Sequence, residues 1–211
     1  PPDGYTILLV SSSFMISALV YPKLAYDTVK DFTGITQIAT IPQMLVVHPS
    51  LPVATGPQLV ALAKRNPGAI SYASGGNGST QHLGGELFKY LTKTDLVHIP
   101  YKGSGPAMLA VLSGEVFMMF GGPSSLRQHV DSGRLRAIAV TGGKRNAAMP
   151  EVPTFVEAGL QGVDSGTHWN SLAPAATPRH IVNALSQAFA KAMQIPEIHQ
   201  RLIELGFDPI G

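Results

Sequence analysis

Two glycine-rich turns carry the residues whose types and spacing could bind a ligand. The first covers residues 74–80, Ser-Gly-Gly-Asn-Gly-Ser-Thr, and joins a predicted strand to a predicted helix. N–H groups at a helix start are unpaired and the helix dipole is positive there, so an anion is favoured. The hydroxyls of Ser74, Ser79 and Thr80 can donate further hydrogen bonds. An ordinary β–α connection without a ligand would show the same pattern, so both interpretations stay open.

The second turn, residues 101–106, has the same design. Tyr101 offers a ring and a hydroxyl, Lys102 a positive charge, and residues 103–105 (Gly-Ser-Gly) further backbone donors. Residues 121–123 (Gly-Gly-Pro) form a third turn at the next strand end, without side-chain chemistry. Because ligands of open α/β sheets bind outside the carboxyl ends of the strands, these consecutive turns predict one binding site.

The sequence contains no motif that is typical of a catalytic or a metal-binding site. The chain has no cysteine, and its 7 histidines show no metal-ligand spacing. No G-x-S-x-G elbow or phosphate-binding motif is complete, and Asp164 is the one acid near a predicted turn. His168 and the sole tryptophan, Trp169, lie in a predicted strand, where core packing and ligand stacking are both open. We therefore predict a protein that is not an enzyme, with no catalytic residue, metal or cofactor.

The amino-acid composition excludes two further classes of protein. Charged residues make up 13% of the 211 residues and the net charge is only +2, which argues against nucleic acid as a partner. Apolar residues make up 45%, enough for a folded core and too many for a disordered chain.

Helix and strand patterns alternate from residue 50 to residue 141, which predicts an α/β fold with a parallel or mostly parallel sheet. Thr55 and Gln58 form a predicted capping box, and Thr177-Pro178 a second predicted helix start. A helix after the first glycine turn has Leu83, Leu87 and Leu91 as its apolar stripe. Strands are predicted at residues 5–10, 35–39, 44–48, 70–73, 96–100, 116–120, 135–140 and 167–172.

The remaining segments predict a second α/β unit built from both ends of the chain. We expect a near lobe of residues 1–48 plus 166–211 and a far lobe of residues 49–165. Two crossings, near residues 43–49 and 165–172, would form a hinge of two strands.

Eight segments in order give the chain a family resemblance. It resembles the Bug-type solute-binding proteins of tripartite tricarboxylate transporters through PDGYT, FTGITQIAT, LVVHPSLPV, ISYASGGNGSTQHLGGELF, VHIPYKGSGPAM, LRAIAVTGGKR, MPEVPTFVEAGL and LAPAATP. The most specific parts are SGGNGSTQHL, HIPYKGSGPA and the PEVPT-x-x-EAG connector.

The resemblance implies a two-lobe fold of the periplasmic-binding-protein type, a Venus flytrap of type II architecture. It implies capture of a small carboxylate (a di- or tricarboxylate, an amino acid or an aromatic acid) in a cleft between the lobes, in the periplasm. The implied partners are membrane subunits of the transporter or a sensor kinase. The residues expected to contact the ligand are Ser11, Ser12, Ser74, Gly75, Asn77, Gly78, Ser79, Thr80, Tyr101, Lys102, Gly103, Ser104, Gly122, His168 and Trp169.

Departures from the family pattern add expectations. Family members carry a strand–loop–helix unit before PDGYT and a helix beyond residues 210–211, and we expect this chain to lack both, together with a signal peptide. The strand at residues 5–10 has the apolar composition of a strand buried on both faces. Without its family neighbour it should expose an edge, through which the chain could self-associate.

Two other functions stay open at this stage. An effector-sensing domain of a transcription regulator shares the two-lobe plan but would need a helix-turn-helix segment. A small α/β transferase would need a catalytic residue, for which the turns offer only Lys102.

Overall fold

The computed structural model describes residues 1–160 and 162–210. Its contacts divide the chain into two compact units: unit 1 is Pro1–Ile41 with Thr167–Gly211, and unit 2 is Pro42–Gly166. No helix in the described part of the chain is both long and apolar enough to cross a membrane.

In chain order, the elements are β1 (Leu8–Ser11), α1 (Ser13–Val20), β2 (Phe32–Pro42), β3 (Met44–Val47), α2 (Gly56–Arg65), β4 (Ile70–Ser74), α3 (Thr80–Thr92), β5 (Leu96–Pro100), α4 (Ser104–Leu112), β6 (Met118–Gly121), α5 (Pro123–Asp131), β7 (Arg136–Val140), β8 (Gly166–Pro174), α6 (Arg179–Met193), α7 (Pro196–Glu204) and β9 (Asp208–Pro209).

Unit 2 contains a five-stranded sheet in the order β5-β4-β6-β3-β7. Strand β4 pairs in parallel with β5 and β6, whereas β3 pairs antiparallel with both β6 and β7. Four strands therefore point the same way and β3 is reversed, which confirms the predicted mostly parallel sheet. Strand β3, which the sequence analysis placed in the near lobe, is an inner strand of this sheet.

Both faces of the unit 2 sheet are covered by helices. One buried cluster contains Leu45 and Tyr72 of the sheet with Leu59 of α2 and Phe88 of α3. The other contains neighbouring strand residues, such as Met44, with side chains of α4 and α5. Since successive strand residues point to opposite faces, the two clusters lie on opposite sides of the sheet. Double coverage explains why these strands are continuous apolar runs.

Helix α3 does not bury the leucine stripe that its sequence predicts. Leu83 and Leu91 are each 38% exposed, while the buried positions are Gln81, Gly84, Gly85 and Phe88. A Cβ on Gly85 would collide with the ring of Tyr72, so the absence of a side chain lets α3 lie close against β4. The spacing of apolar side chains does not predict the buried face of α3, because part of that face consists of glycine.

Of the two predicted N-terminal caps, the structure has the one at α2 and not the one at α6. Thr55 caps α2 as predicted: its side chain accepts from the Gln58 N–H, and Gln58 Oε1 accepts from the Ala54 N–H at 2.7 Å. At α6 the prediction of a Thr177 cap was wrong. The cap residue is Pro178, without a side-chain bond, and the buried Thr177 hydroxyl makes no hydrogen bond to any described residue.

Unit 1 contains a smaller sheet in the order β1-β8-β2-β9. Its buried cluster consists of Ile35, Ala173 and Val182, with side chains of α6 packed against it.

The prediction of a buried strand at residues 5–10 was wrong in its bounds and in its burial. The strand begins at Leu8, lies at the edge of the described sheet and pairs antiparallel with β8. Leu9 is 59% exposed, so the face of the sheet to which its side chain points is open to solvent.

Candidate ligand-binding site

The two glycine-rich turns lie side by side at the carboxyl ends of β4 and β5. The Tyr101 N–H donates to the Ser74 carbonyl at 2.9 Å, and the Gly103 N–H donates to the Gly75 carbonyl at 3.1 Å. These bonds continue the pairing of β4 with β5 beyond the sheet. The turns predicted to share a site are therefore in direct contact.

Glycine is needed for this close approach. A Cβ on Gly75 would lie 3.3 Å from the backbone carbon of Gly103, tighter than nearly all real contacts. Gly76, Gly78 and Gly103 have φ values of +125°, +78° and +106°, which side chains strongly disfavour. Replacement of these glycines would separate or distort the two turns.

Several backbone donors expected to be free in the first turn are already bonded within it. The Gly75 N–H donates to Gln81 Oε1 at 2.6 Å, the Gly76 N–H to Ser74 Oγ at 3.1 Å, and the Gly78 N–H to His82 Nδ1 at 3.2 Å. The expectation of unpaired N–H groups at these three glycines was wrong. These three N–H groups therefore hold the turn itself together.

Ser74 lies beneath the first turn and is fully buried. Its hydroxyl is 2.6 Å from His98 Nε2 and 3.2 Å from the Gly76 carbonyl oxygen. It supports the turn and does not reach solvent. Ser79, by contrast, is half-buried and caps α3 by accepting from the His82 N–H. A hydroxyl that accepts one bond still has its proton to donate, and a carboxylate oxygen is a suitable acceptor.

The start of α4 is the most open part of the site. Its cap residue, Gly103, has no side chain, and no described residue accepts a hydrogen bond from the N–H groups of Ser104 or Gly105. Ser104, Gly105 and Lys102 are all exposed. The start of α4 therefore offers two backbone donors and the positive end of the helix dipole, which together stabilise an anion, and the exposed Lys102 and Ser104 flank it in sequence.

Three stacked rings support the turns from below. The His82 and His98 rings lie 4.1 Å apart at 15°, and the His98 and Tyr72 rings lie 4.8 Å apart at 23°. Burial, followed by the neighbouring His82, lowers the pKa of His98 from 6.5 to about 4. Burial also lowers the pKa of His82. Neither histidine stands out in the sequence, because His82 on α3 and His98 on β5 are brought together only by the packing of α3 against the sheet.

A carboxylate stands at the end of this stack. Glu86 accepts from the Tyr72 hydroxyl at 2.7 Å and from Lys89 Nζ at 2.8 Å. Burial raises the pKa of Glu86, but the hydrogen bonds from Lys89 and Tyr72 outweigh it, so the net pKa lies below its ordinary value.

The third predicted turn lies at the same edge of the sheet. Gly122 follows β6, which is parallel to β4, and forms the cap position of α5 with Pro123 next. Its carbonyl oxygen accepts from the Ser125 N–H and the Ser125 hydroxyl.

The four predicted residues of unit 1 form a separate group. Ser12 Oγ accepts from the His168 N–H at 3.0 Å, and Ser11 lies opposite Trp169 in the β1–β8 pair. The Nε1 atom of Trp169 is buried and has no partner among the described residues. A cavity of about 470 Å³ adjoins this group and is lined in part by Ser11, Phe14 and Asn170.

No group of three or more His, Asp or Glu side chains in the described residues is arranged to hold a metal ion. Asp164, the one acid noted near a turn, is exposed.

The fold and the paired turns define an α/β protein of the periplasmic-binding-protein type, as predicted. The model of the tripartite tricarboxylate transporter family receptor, TctC, matches residues 1–211. The chain therefore belongs to this family, and the resemblance found in its sequence is confirmed.

Similar proteins agree with this assignment. The UPF0065 protein in the tcbD-tcbE intergenic region of Pseudomonas sp. strain P51 is 37% identical over 212 residues, which cover all of this chain and 63% of that protein. The structure of R. palustris Rpa4515 with adipate has a TM-score of 0.92 and 32% identity, and covers 99% of this chain and 70% of that one. The structure of periplasmic binding protein BugD has a TM-score of 0.88 and 30% identity. The match covers 100% of this chain and 70% of the BugD chain. The chain thus spans less than two thirds of the length of the Pseudomonas relative.

Proposed function

We propose that this protein is a periplasmic receptor that binds a small carboxylate and delivers it to the membrane subunits of a tripartite tricarboxylate transporter. Membership of the receptor family and the similarity to an adipate-bound structure support this function. The periplasm is the compartment named for the similar protein BugD.

The observation that carries the proposal is the pair of contacting turns at the carboxyl edge of the unit 2 sheet. The open N–H groups of Ser104 and Gly105, the hydroxyl of Ser79 and the ammonium group of Lys102 are all hydrogen-bond donors. A carboxylate accepts several hydrogen bonds and carries one negative charge, which matches this set. In unit 1, Ser11, Ser12, His168 and Trp169 are proposed to contact the ligand as well.

Binding without turnover is part of the proposal. Ser74 and His98 are hydrogen-bonded at 2.6 Å, which is the spacing of a nucleophile and its base. Ser74 is fully buried, however, so no substrate can approach its hydroxyl. The pair is better explained as support for the turn.

Partners other than the transporter remain predictions. A sensor kinase could receive the same ligand signal, and the exposed edge at β1 could join two copies of the chain. A hinge between the two units also remains a prediction.

Calorimetry with acids and their neutral analogues tests the proposed function. Adipate, malate and benzoate should include at least one ligand, whereas adipamide, which has the shape of adipate without its charge, should not bind. Lys102→Gln should weaken binding of that ligand several-fold, because an exposed charge contributes up to about 1 kcal/mol. Lys191→Gln on α6 is the matched control and should leave affinity unchanged. Equal binding of adipate and adipamide would contradict a carboxylate site.

A further inference from the structure

His82 connects the first turn to the ring stack beneath it. Its Nδ1 atom lies 3.2 Å from the Gly78 nitrogen, and its backbone N–H is bonded to Ser79 Oγ. One residue thus holds both the last glycine of the turn and the serine that follows it. Gly78 itself is buried and has a φ of +78°, which glycine adopts readily.

The hydrogen bond to Gly78 fixes the protonation state of His82. A backbone N–H can only donate, so Nδ1 of His82 must accept and must carry no proton. A doubly protonated imidazolium would place an N–H against the Gly78 N–H, and the bond would be lost. The turn in its observed form therefore requires neutral His82.

His98 does not share this requirement. Its Nε2 atom faces the Ser74 hydroxyl, which can accept from a protonated ring and donate to the Gly76 carbonyl oxygen. Protonation of His98 is compatible with the observed bonds, and protonation of His82 is not.

From this geometry we propose that His82 is a pH-dependent positioning residue: its neutral ring holds the turn of residues 74–80 in the ligand-binding form, and its protonation releases Gly78 and weakens carboxylate binding. The inference rests on the proposed carboxylate site and adds a mechanism by which acid lowers its affinity.

The charged and titratable groups around His82 come from three elements. Tyr72 lies on β4, His98 on β5, and Glu86 and Lys89 on α3 itself. Burial lowers the pKa of His82 most, Glu86 opposes this, and Lys89 adds to it. The stacked His98 ring has a pKa of about 4. Release of the turn is therefore expected below the ordinary pKa of 6.5.

The expected effect follows from the population of the neutral form. If only that form binds, the apparent Kd rises about tenfold for each pH unit below the pKa of His82. A positively charged His82 ring near a bound carboxylate would by itself lower the Kd in acid, whereas release of the turn raises it. The direction in which the Kd changes therefore distinguishes electrostatic attraction from release of the turn.

Nuclear magnetic resonance on the ligand-free chain tests the coupling directly. The imidazole signals of His82 and the amide signal of Gly78 are followed from about pH 7.5 downward until the His82 signals stop shifting. Both should shift with the same midpoint. A Gly78 amide that stays constant while His82 titrates would overturn the inference.

Variants test the consequence for binding. His82→Asn places an uncharged amide oxygen near the position of Nδ1, so it should keep binding at neutral pH and lose the extra acid sensitivity of the wild-type chain. His199→Asn removes an exposed histidine of α7 and should behave like wild type. Calorimetry with adipate at each pH gives the comparison, since protonation of adipate is common to all variants.

The outcomes separate this inference from the proposed function. Equal acid sensitivity in wild type and His82→Asn, or tighter binding by wild type in acid, would contradict the role of His82. If adipate, malate and benzoate bind at no pH, the carboxylate function fails, while the coupling of His82 to Gly78 is still decided by the ligand-free titration.

Discussion

Ser79 serves two purposes that substitutions can separate. Its oxygen caps α3, and its proton is available to a carboxylate. Ser79→Ala removes both: we expect a loss of about 1 kcal/mol in stability from the cap and about 1.5–3 kcal/mol in binding from a charged hydrogen bond. Calorimetry and urea unfolding measure the two effects.

Ser79→Asp is the informative companion variant. Aspartate is an equally good cap residue, so stability should be kept. Its negative charge would stand beside the proposed carboxylate, so affinity should fall below that of Ser79→Ala. Binding as tight as in wild type would mean that no anion lies near Ser79.

His98 should make the stability of the protein depend on pH. Its pKa is about 4 in the folded protein and near 6.5 when unfolded, so the folded state binds fewer protons between these values. The free energy of unfolding should therefore fall as the pH drops through this window and stop falling on this account below about pH 4.

His98→Gln supplies the control for that prediction. Glutamine keeps a polar group near Ser74 but does not titrate in this range. Urea unfolding of wild type and variant from about pH 7 to about pH 4 should give curves that differ in slope. Parallel curves would show that His98 does not contribute.

Residue chemistry could be predicted from the sequence, but residue accessibility could not. Ser74 and Ser79 are both serines of one glycine-rich turn, and the sequence does not distinguish them. In the structure Ser74 is buried and Ser79 is half-buried. The difference arises because Ser74 is the last residue of β4 and its hydroxyl meets His98 on the neighbouring strand. That contact joins residues 24 positions apart, so only the paired strands reveal it.

At the scale of elements, the seating of α3 on β4 depends on Gly85. Gly85→Ala would force a Cβ into the fully buried ring of Tyr72. Overpacking of this kind costs about 1–3 kcal/mol, and alanine recovers about 1 kcal/mol of helix propensity. We expect net destabilisation, and a displaced Tyr72 should also disturb the stack below the turn.

The matched control is Gly105→Ala in the first turn of α4, where a Cβ would meet nothing within 4 Å. Its stability should be unchanged or slightly higher. Thermal unfolding compares the two variants, and equal midpoints would show that α3 has room to move away from β4.

Elements with clear boundary residues were predicted well, and those set by distant contacts were not. Strand β5 has the predicted bounds of residues 96–100, since Pro100 and the following glycines end it. The strand predicted at residues 5–10 begins at Leu8, because its bounds are set by the pairing with β8, which an apolar run does not show. In α3, glycine rather than leucine forms the buried face.

At the scale of the whole molecule, the two units have cores of very different size. Unit 2 holds two buried clusters, one on each face of its sheet. The cluster of unit 1 has three buried members, and Tyr5, Leu9 and Leu19 are among its largely exposed apolar residues. Few buried contacts favour local opening.

Hydrogen exchange should therefore be faster in unit 1. Amides of residues 1–41 and 173–210 are expected to exchange before those of residues 70–140, and mass spectrometry of peptic fragments measures this. Equal protection in both units would mean that unit 1 is stabilised by contacts other than its buried cluster.

The most direct test of the account maps ligand contact on the ¹⁵N-labelled chain as adipate is added. Amides of residues 76–80 and 102–105 should shift together with a single affinity. Gly68 and Gly133, in the turns that precede β4 and β7 at the opposite edge of the sheet, should stay unchanged. Shifts at Gly68 or Gly133 without shifts in the two glycine-rich turns, or no shifts at saturating adipate, malate and benzoate, would contradict a carboxylate site at the carboxyl edge of this sheet.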